Sequence, residues 1–168
     1  MNLPDFGRPD FSRTNLSHAD LGRLDLQGVD LKRANLAEAS LAGALLNRAD
    51  LSGSYLDRAD FTRSELRAAQ FTEAYMVESC FRDSILAGAI LTGAQCHRSN
   101  FRQAGLVGAI AHEVDFSGAD LRGADGREGS FLRAKFWGRS PTGCRWCGEI
   151  CGEPILPVRF WRGPTSPA

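Results

Sequence analysis

The chain of 168 residues carries 20 Lys and Arg against 20 Asp and Glu, so its formal net charge is zero, and 43% of its residues are hydrophobic. The charge balance argues against a strongly basic nucleic-acid binder and against a uniformly acidic protein, and the apolar fraction is too high for a disordered chain. No apolar run approaches the ~18 residues of a membrane span, and the opening residues to Phe11, with Pro4, Asp5, Pro9 and Asp10, hold no apolar stretch of a secretory signal.

From Phe6 onward the chain is organised in steps of five. Of the 27 positions from Phe6 to Phe136, 23 are Leu or Phe, where the composition would place about five by chance. Two residues before each of these centres, 20 of the 27 positions are Ala or Ser, and the residue between is often Asp or Asn, as at Asp20, Asp30, Asn35, Asp50, Asp60, Asn100 and Asp120. A period of five fits neither the 3.6 of a helix nor the 2 of a strand. It fits a chain that turns a corner every five residues. The small residue and the Leu or Phe then point inward, four sides close a coil of 20 residues, and coils stack at about 4.8 Å. Pro4 and Pro9 stand at small positions near an open edge, and Leu24 is large for its place. Cys96, Ala111 and Gly126 replace the large centre late in the chain, which predicts smaller and looser coils there.

The unit A-D-L-x-x resembles the pentapeptide repeat family over residues 4 to about 138. The resemblance implies an all-β fold, a right-handed quadrilateral β-helix of six to seven coils over 4–138, followed by an irregular cap or tail over 139–168.

Spacing by 20 sorts the outer residues into strips. One carries Asp10, Asp30 and Asp50, flanked by Arg13 and Arg33. Asx-type bonds to the backbone are the expected role of such a column. A second carries Tyr55 above Tyr75, spaced as a cross-coil ladder. A third holds Arg82, Arg102 and Arg122, which need neutralising by Asp83, Asp120, water or an anionic partner. The fourth, with the edge of the first, presents Ile85, Ile90, Val107 and Ile110 outward. Contiguous exposed apolar surface marks an interface or a covered patch, so these residues and the Arg column are the candidate partner-binding residues. Either a homodimer, another protein or the chain's own tail, with residues 154–161 folding back, would cover the patch.

The tail changes character. It contains Cys144, Cys147 and Cys151, at spacings that suit a metal knuckle or a modification site, but a closed zinc site needs four ligands and there is no second CxxC. No cofactor is therefore expected, with zinc or an iron–sulfur cluster as the exception. Trp137, Trp146, Phe160 and Trp161 are candidate lid residues. Five cysteines, an odd number, suggest reduced thiols and a cytoplasmic location. His18, His97 and His112 fall on different coils or faces, no phosphate loop is present, and a convex rod offers no deep pocket, so no enzyme is expected.

Three functions fit these readings. The first is a non-enzymatic rigid scaffold that binds a protein, without direct contact to nucleic acid or membrane. The second follows from the resemblance: some family members imitate B-DNA and bind DNA gyrase or another type II topoisomerase, giving quinolone or toxin resistance, with Asp10, Asp30 and Asp50 as the mimic face here. The third is a carrier for the cysteine-containing tail.

Overall fold

The structure, a computed structural model, describes residues 9–136. Pro4, the candidate lid residues Trp137, Trp146, Phe160 and Trp161, the cysteines Cys144, Cys147 and Cys151, and the segment 154–161 lie outside the described residues.

Each five-residue unit makes one side of a square. The residue before the centre pairs in parallel with its counterpart 20 residues on, in an unbroken series from Asp10↔Asp30 to Asp115↔Lys135. The coils are therefore 9–28, 29–48, 49–68, 69–88, 89–108 and 109–128, with 129–136 beginning a seventh. We number the sides of each coil as faces 1 to 4, starting with 9–13, 14–18, 19–23 and 24–28 and repeating every 20 residues. Among the described residues there is no helix, and so none long and apolar enough to cross a membrane.

Three backbone bonds per unit hold the coils together. The centre N–H reaches the next coil, as from Phe11 to the Asp30 carbonyl at 2.7 Å, and so does the second residue after it, from Arg13 to Lys32 at 2.9 Å. The bridging residue reaches the previous coil, as from Asp30 to the Pro9 carbonyl at 3.0 Å. Within a coil, the small residue's N–H closes a turn on the preceding centre, as from Ala34 to Leu31 at 3.1 Å. The third residue of that turn has positive φ, the mark of a type II turn.

Positive φ recurs at every fifth residue from Arg13 to Arg133. Glycine occupies eight of these positions and other residues the remaining 17, among them Arg58 (φ 58°), Glu78 (φ 58°) and Ala68 (φ 54°). A side chain there costs roughly 1–2 kcal/mol. Local preference is overridden because the same residues donate across coils, as Ala68 does to the Ala87 carbonyl at 2.9 Å.

The inward positions make one continuous core. Leu46, Leu66 and Leu86 are fully buried one above another. Phe61, Phe81 and Phe101 stack with centroids 4.7 and 4.8 Å apart, and Phe71 meets the first two edge-on at 6.2 and 5.7 Å. Buried serines at small positions satisfy themselves on the centre three residues back, as Ser54 donates to the Leu51 carbonyl at 2.6 Å. The expected loosening late in the chain is not found. Cys96 and Ala111 are fully buried, and the Ala111 N–H still reaches the Ser130 carbonyl at 2.7 Å. Phe101 packs edge-on against Phe116 at 5.4 Å, and the Phe131 ring takes the space that a side chain on Gly129 would need. Leu24, large for its position, is 46% exposed on the first coil.

Two predictions test this account. Leu66→Ala should destabilise by about 2–5 kcal/mol as a core cavity, and Leu66→Asp should prevent folding; a folded Asp variant by circular dichroism would refute the register. Ala68→Gly, which removes one exposed methyl at positive φ, should raise stability by about 0.5–1 kcal/mol, and Gly43→Ala (φ 69°) should lower it by a similar amount. Urea denaturation midpoints moving in the opposite directions would show that the turns carry no such strain.

Candidate functional site

The outer side chains stand in vertical columns, so the function of this fold is written on its faces. On face 1, the Oδ1 atoms of Asp10, Asp30 and Asp50 accept the backbone N–H two residues on, from Ser12 at 2.8 Å, Lys32 at 3.0 Å and Ser52 at 3.1 Å. The same Asx bond recurs in units on all four faces, for example donated by the N–H groups of Ser17, Gly22 and Gln27 to the side-chain oxygens of Asn15, Asp20 and Asp25. The Lys32 ammonium lies between Asp30 and Asp50, at 3.2 and 3.0 Å. Burial raises the Asp50 carboxyl, but the bonds from Ser52 and Lys32 outweigh it and hold the group below its ordinary range. This column is thus braced and neutralised by its own chain. Above Gln70 it continues as Ile90 and Ile110, so one column is acidic in its first half and apolar in its second.

On face 2, Tyr55 and Tyr75 stack at 5.1 Å with an interplanar angle of 10°, and both are about half exposed. At the corner beside them runs a charge ladder. Glu38 lies 3.3 Å from His18 and 3.6 Å from Arg58, and Glu78 lies 3.2 Å from Arg58 and 3.6 Å from Arg98. Such exposed pairs contribute little each.

On face 3, Arg82, Arg102 and Arg122 form the expected column, but acidic neighbours already meet them. Arg82 donates to Asp83 at 3.1 Å; Asp120 receives Arg122 through two bonds at 2.8 and 2.5 Å and lies 3.9 Å from Arg102. The Arg122 hydrogen bond is the main cause holding the Asp120 carboxyl at about 2. An anionic partner is not required to reconcile these arginines.

Face 4 and its corner with face 1 differ from the rest. Residues 84–96 and 104–111, stacked one coil apart, contain no charged side chain. Ile85, Ile90 and Val107 are partly exposed and Ile110 is 39% exposed. Gly88 and Gly108 form the corner between them, and a Cβ on either would meet nothing within 4 Å. The four apolar residues therefore come together as a smooth patch, with the Arg column one corner away. The residues that sequence reading missed are those that flatten it: Ala87, Gly88, Gly105 and Gly108. Two uncharged runs spaced by 20 were the available signal.

Charge is balanced face by face among the described residues. Face 1 carries four basic and five acidic side chains, face 2 three and four, face 3 five and four, and face 4 three and four. The surface depressions are open and shallow, one lined by Ser12, Arg13, Asp30, Lys32 and Arg33. Each histidine has its own neighbour: His18 with Glu38, His97 with Asp115 at 3.6 Å, and His112 with Ser130 at 2.8 Å. Among the described residues no His, Cys, Asp and Glu group is arranged to hold a metal ion. Cys96 is fully buried, and burial pushes its thiol up, away from reactivity.

Four short sides per turn, stacked in register through parallel bridges, define a right-handed quadrilateral β-helix. The pattern of pentapeptide repeats matches eight copies over residues 10–48, 44–83 and 89–125, and the chain belongs to the pentapeptide repeat family. Among solved structures it is similar to the pentapeptide repeat protein Rfr23 from the cyanobacterium Cyanothece 51142, with 22% identity over 82% of this chain and 90% of that one and a TM-score of 0.56. It is similar also to full-length QnrB1, a plasmid-mediated fluoroquinolone resistance protein, with 18% identity over 82% of this chain and 77% of that one and a TM-score of 0.57. Both likenesses are likenesses of fold. No curated protein matches the sequence.

The Asp120 contact carries a pH prediction. Its carboxyl sits at about 2 in the fold against an ordinary 3.8, so its stabilising contribution is complete above the ordinary value and is lost as pH falls from about 4 toward 2. Asp120→Asn should flatten that part of the stability curve in urea titrations. An unchanged acid limb would assign the acid sensitivity elsewhere.

Proposed function

We propose that the protein is a non-enzymatic, rigid protein-binding rod of the cytoplasm, whose contact surface is the patch of Ile85, Ile90, Val107 and Ile110. The observation that carries this reading is the absence of charge from the stacked runs 84–96 and 104–111, on a surface that is elsewhere studded with ion pairs. Exposed apolar area of this kind is a recurrent mark of an interaction site. The glycines of the corner support it, because they let a partner approach the backbone closely. The Arg82, Arg102 and Arg122 column borders the patch and would form its polar rim.

The gyrase reading has the fold of QnrB1 in its favour. Against it stands the charge balance. A mimic of a polymer with one negative charge per ~1.7 Å needs a negative face, and here no face departs from neutrality by more than one charge among the described residues.

Affinity capture from the native host with the wild-type chain, a Val107→Arg/Ile110→Arg variant and a Tyr55→Ala control tests the proposal. Partners should be retained by the control and lost by the double variant. Equal capture by all three would move the contact surface elsewhere. In a supercoiling assay, the protein at micromolar concentration should neither inhibit gyrase nor protect it from a quinolone, and an effect abolished by reversing Asp10, Asp30 and Asp50 would establish the gyrase reading instead.

A further inference from the structure

Face 4 carries a pattern that selects one partner. Its two outward columns are Asp25, Leu45, Glu65, Ile85, Gly105 and Asp125, and beside them Gln27, Asn47, Arg67, Ala87, Val107 and Arg127. In three of the six coils the two members bind each other. Glu65 pairs with Arg67 at 2.6 Å and Asp125 with Arg127 at 2.7 Å, and Asp25 accepts from Gln27 at 3.1 Å. In the apolar coils a large residue stands beside a small one, Ile85 beside Ala87 and Val107 beside Gly105.

We infer that face 4 is a self-docking surface, on which two copies of this chain lie side by side with their rods parallel. The inference rests on the binding-rod reading and names the partner of the same patch. A two-fold axis running along the rod, between the two columns, sets each column opposite the other column of the second copy at the same height. Glu65 then faces Arg67 of the second copy, and Asp125 faces Arg127. Ile85 faces Ala87, and Val107 faces the bare backbone of Gly105. Each intramolecular ion pair becomes half of a square of alternating charges.

The opposite arrangement fails on charge. With the rods antiparallel and the patch centred, Glu65 would face Asp125 and Arg67 would face Arg127, at both ends of the apolar zone. Like charges so placed suppress a wrong pairing. The apolar residues alone would accept either arrangement, so the flanking charges choose the direction.

Size predicts strength. Six coils at ~4.8 Å and a side about 10 Å wide give a flat area of about 300 Å² per copy, well under the ~800 Å² per partner of a stable complex. Ile90 and Ile110, around the Gly88 and Gly108 corner, extend the contact on the apolar side. The dimer is therefore reversible and concentration-dependent.

Sedimentation velocity of the full chain from ~1 µM to ~1 mM should show a monomer–dimer equilibrium. Val107→Arg, on an outward position that leaves the fold intact by circular dichroism, should weaken it at least tenfold, and so should Arg67→Glu. The double exchange Glu65→Arg with Arg67→Glu should restore wild-type association, because the exchanged columns still oppose each other. A monomer at every concentration overturns the proposal, and dimerisation only after truncation behind Gly138 overturns it in favour of the chain's own C-terminal segment. Tighter association of the double exchange overturns the parallel arrangement. Host capture by a strictly monomeric chain, lost in Val107→Arg, would leave the binding-rod reading standing while this inference falls; dimerisation lost in Val107→Arg, with no other protein captured, supports the inference and makes the second copy the protein that the patch binds.

Discussion

The structure depends on one interaction, the hydrogen bond from each coil to the next. A five-residue side is too short to be a strand in its own right, with a single bridging residue per side. Its backbone groups are satisfied because the same side recurs 20 residues later in the same orientation. Repetition thus replaces length. Everything else follows from keeping that register, including the Leu and Phe stacks inside and the columns outside. Stability in such an architecture is close to a sum of coil and neighbour contributions.

The same constraint explains the backbone conformation. Positive φ at 17 non-glycine residues would be unacceptable in a single turn, yet here those from Arg13 to Glu113, 15 of the 17, each donate a hydrogen bond to the next coil. Arg and Glu at these corners project away from the rod, where Glu38, Arg58, Glu78 and Arg98 meet as a ladder. The corner position is therefore conformationally strained yet open to the outside, and Gly, Arg and Glu fill 21 of its 25 places among the described residues.

Much of this was legible before the coordinates. The period of five placed Leu46, Leu66 and Leu86 inside and Asp10, Asp30 and Asp50 outside, and all of them stand there. Two things were not legible. Cys96 and Ala111 stay fully buried in late coils where rings of different sides meet, as Phe101 does edge-on with Phe116, and a pattern of single columns carries no information about such contacts between sides. The neutralisation of the Asp column by Lys32 depends on how far a long side chain reaches along the column, which spacing alone does not state, whereas Asp83 and Asp120 beside the Arg column were legible. The apolar patch was visible as four residues, but its flatness comes from the residues with least side chain, Gly88, Gly105 and Gly108, and these read in sequence as turn punctuation.

The unbroken register has a consequence for how such a chain can change in length. Inserting or deleting 20 residues adds or removes a floor and leaves every column above it aligned. A change of five residues keeps each unit intact and the interior satisfied, yet it turns everything downstream by a quarter revolution. Placed between Gln70 and Ile85, such a change would carry the apolar half of the rod onto a neighbouring face, parting Ile90 and Ile110 from the acidic column beneath them. Folding would tolerate this and recognition would not. The face pattern thus behaves like a reading frame of 20, written over a structural code of five, and surfaces of this kind can be reassigned in a single genetic step.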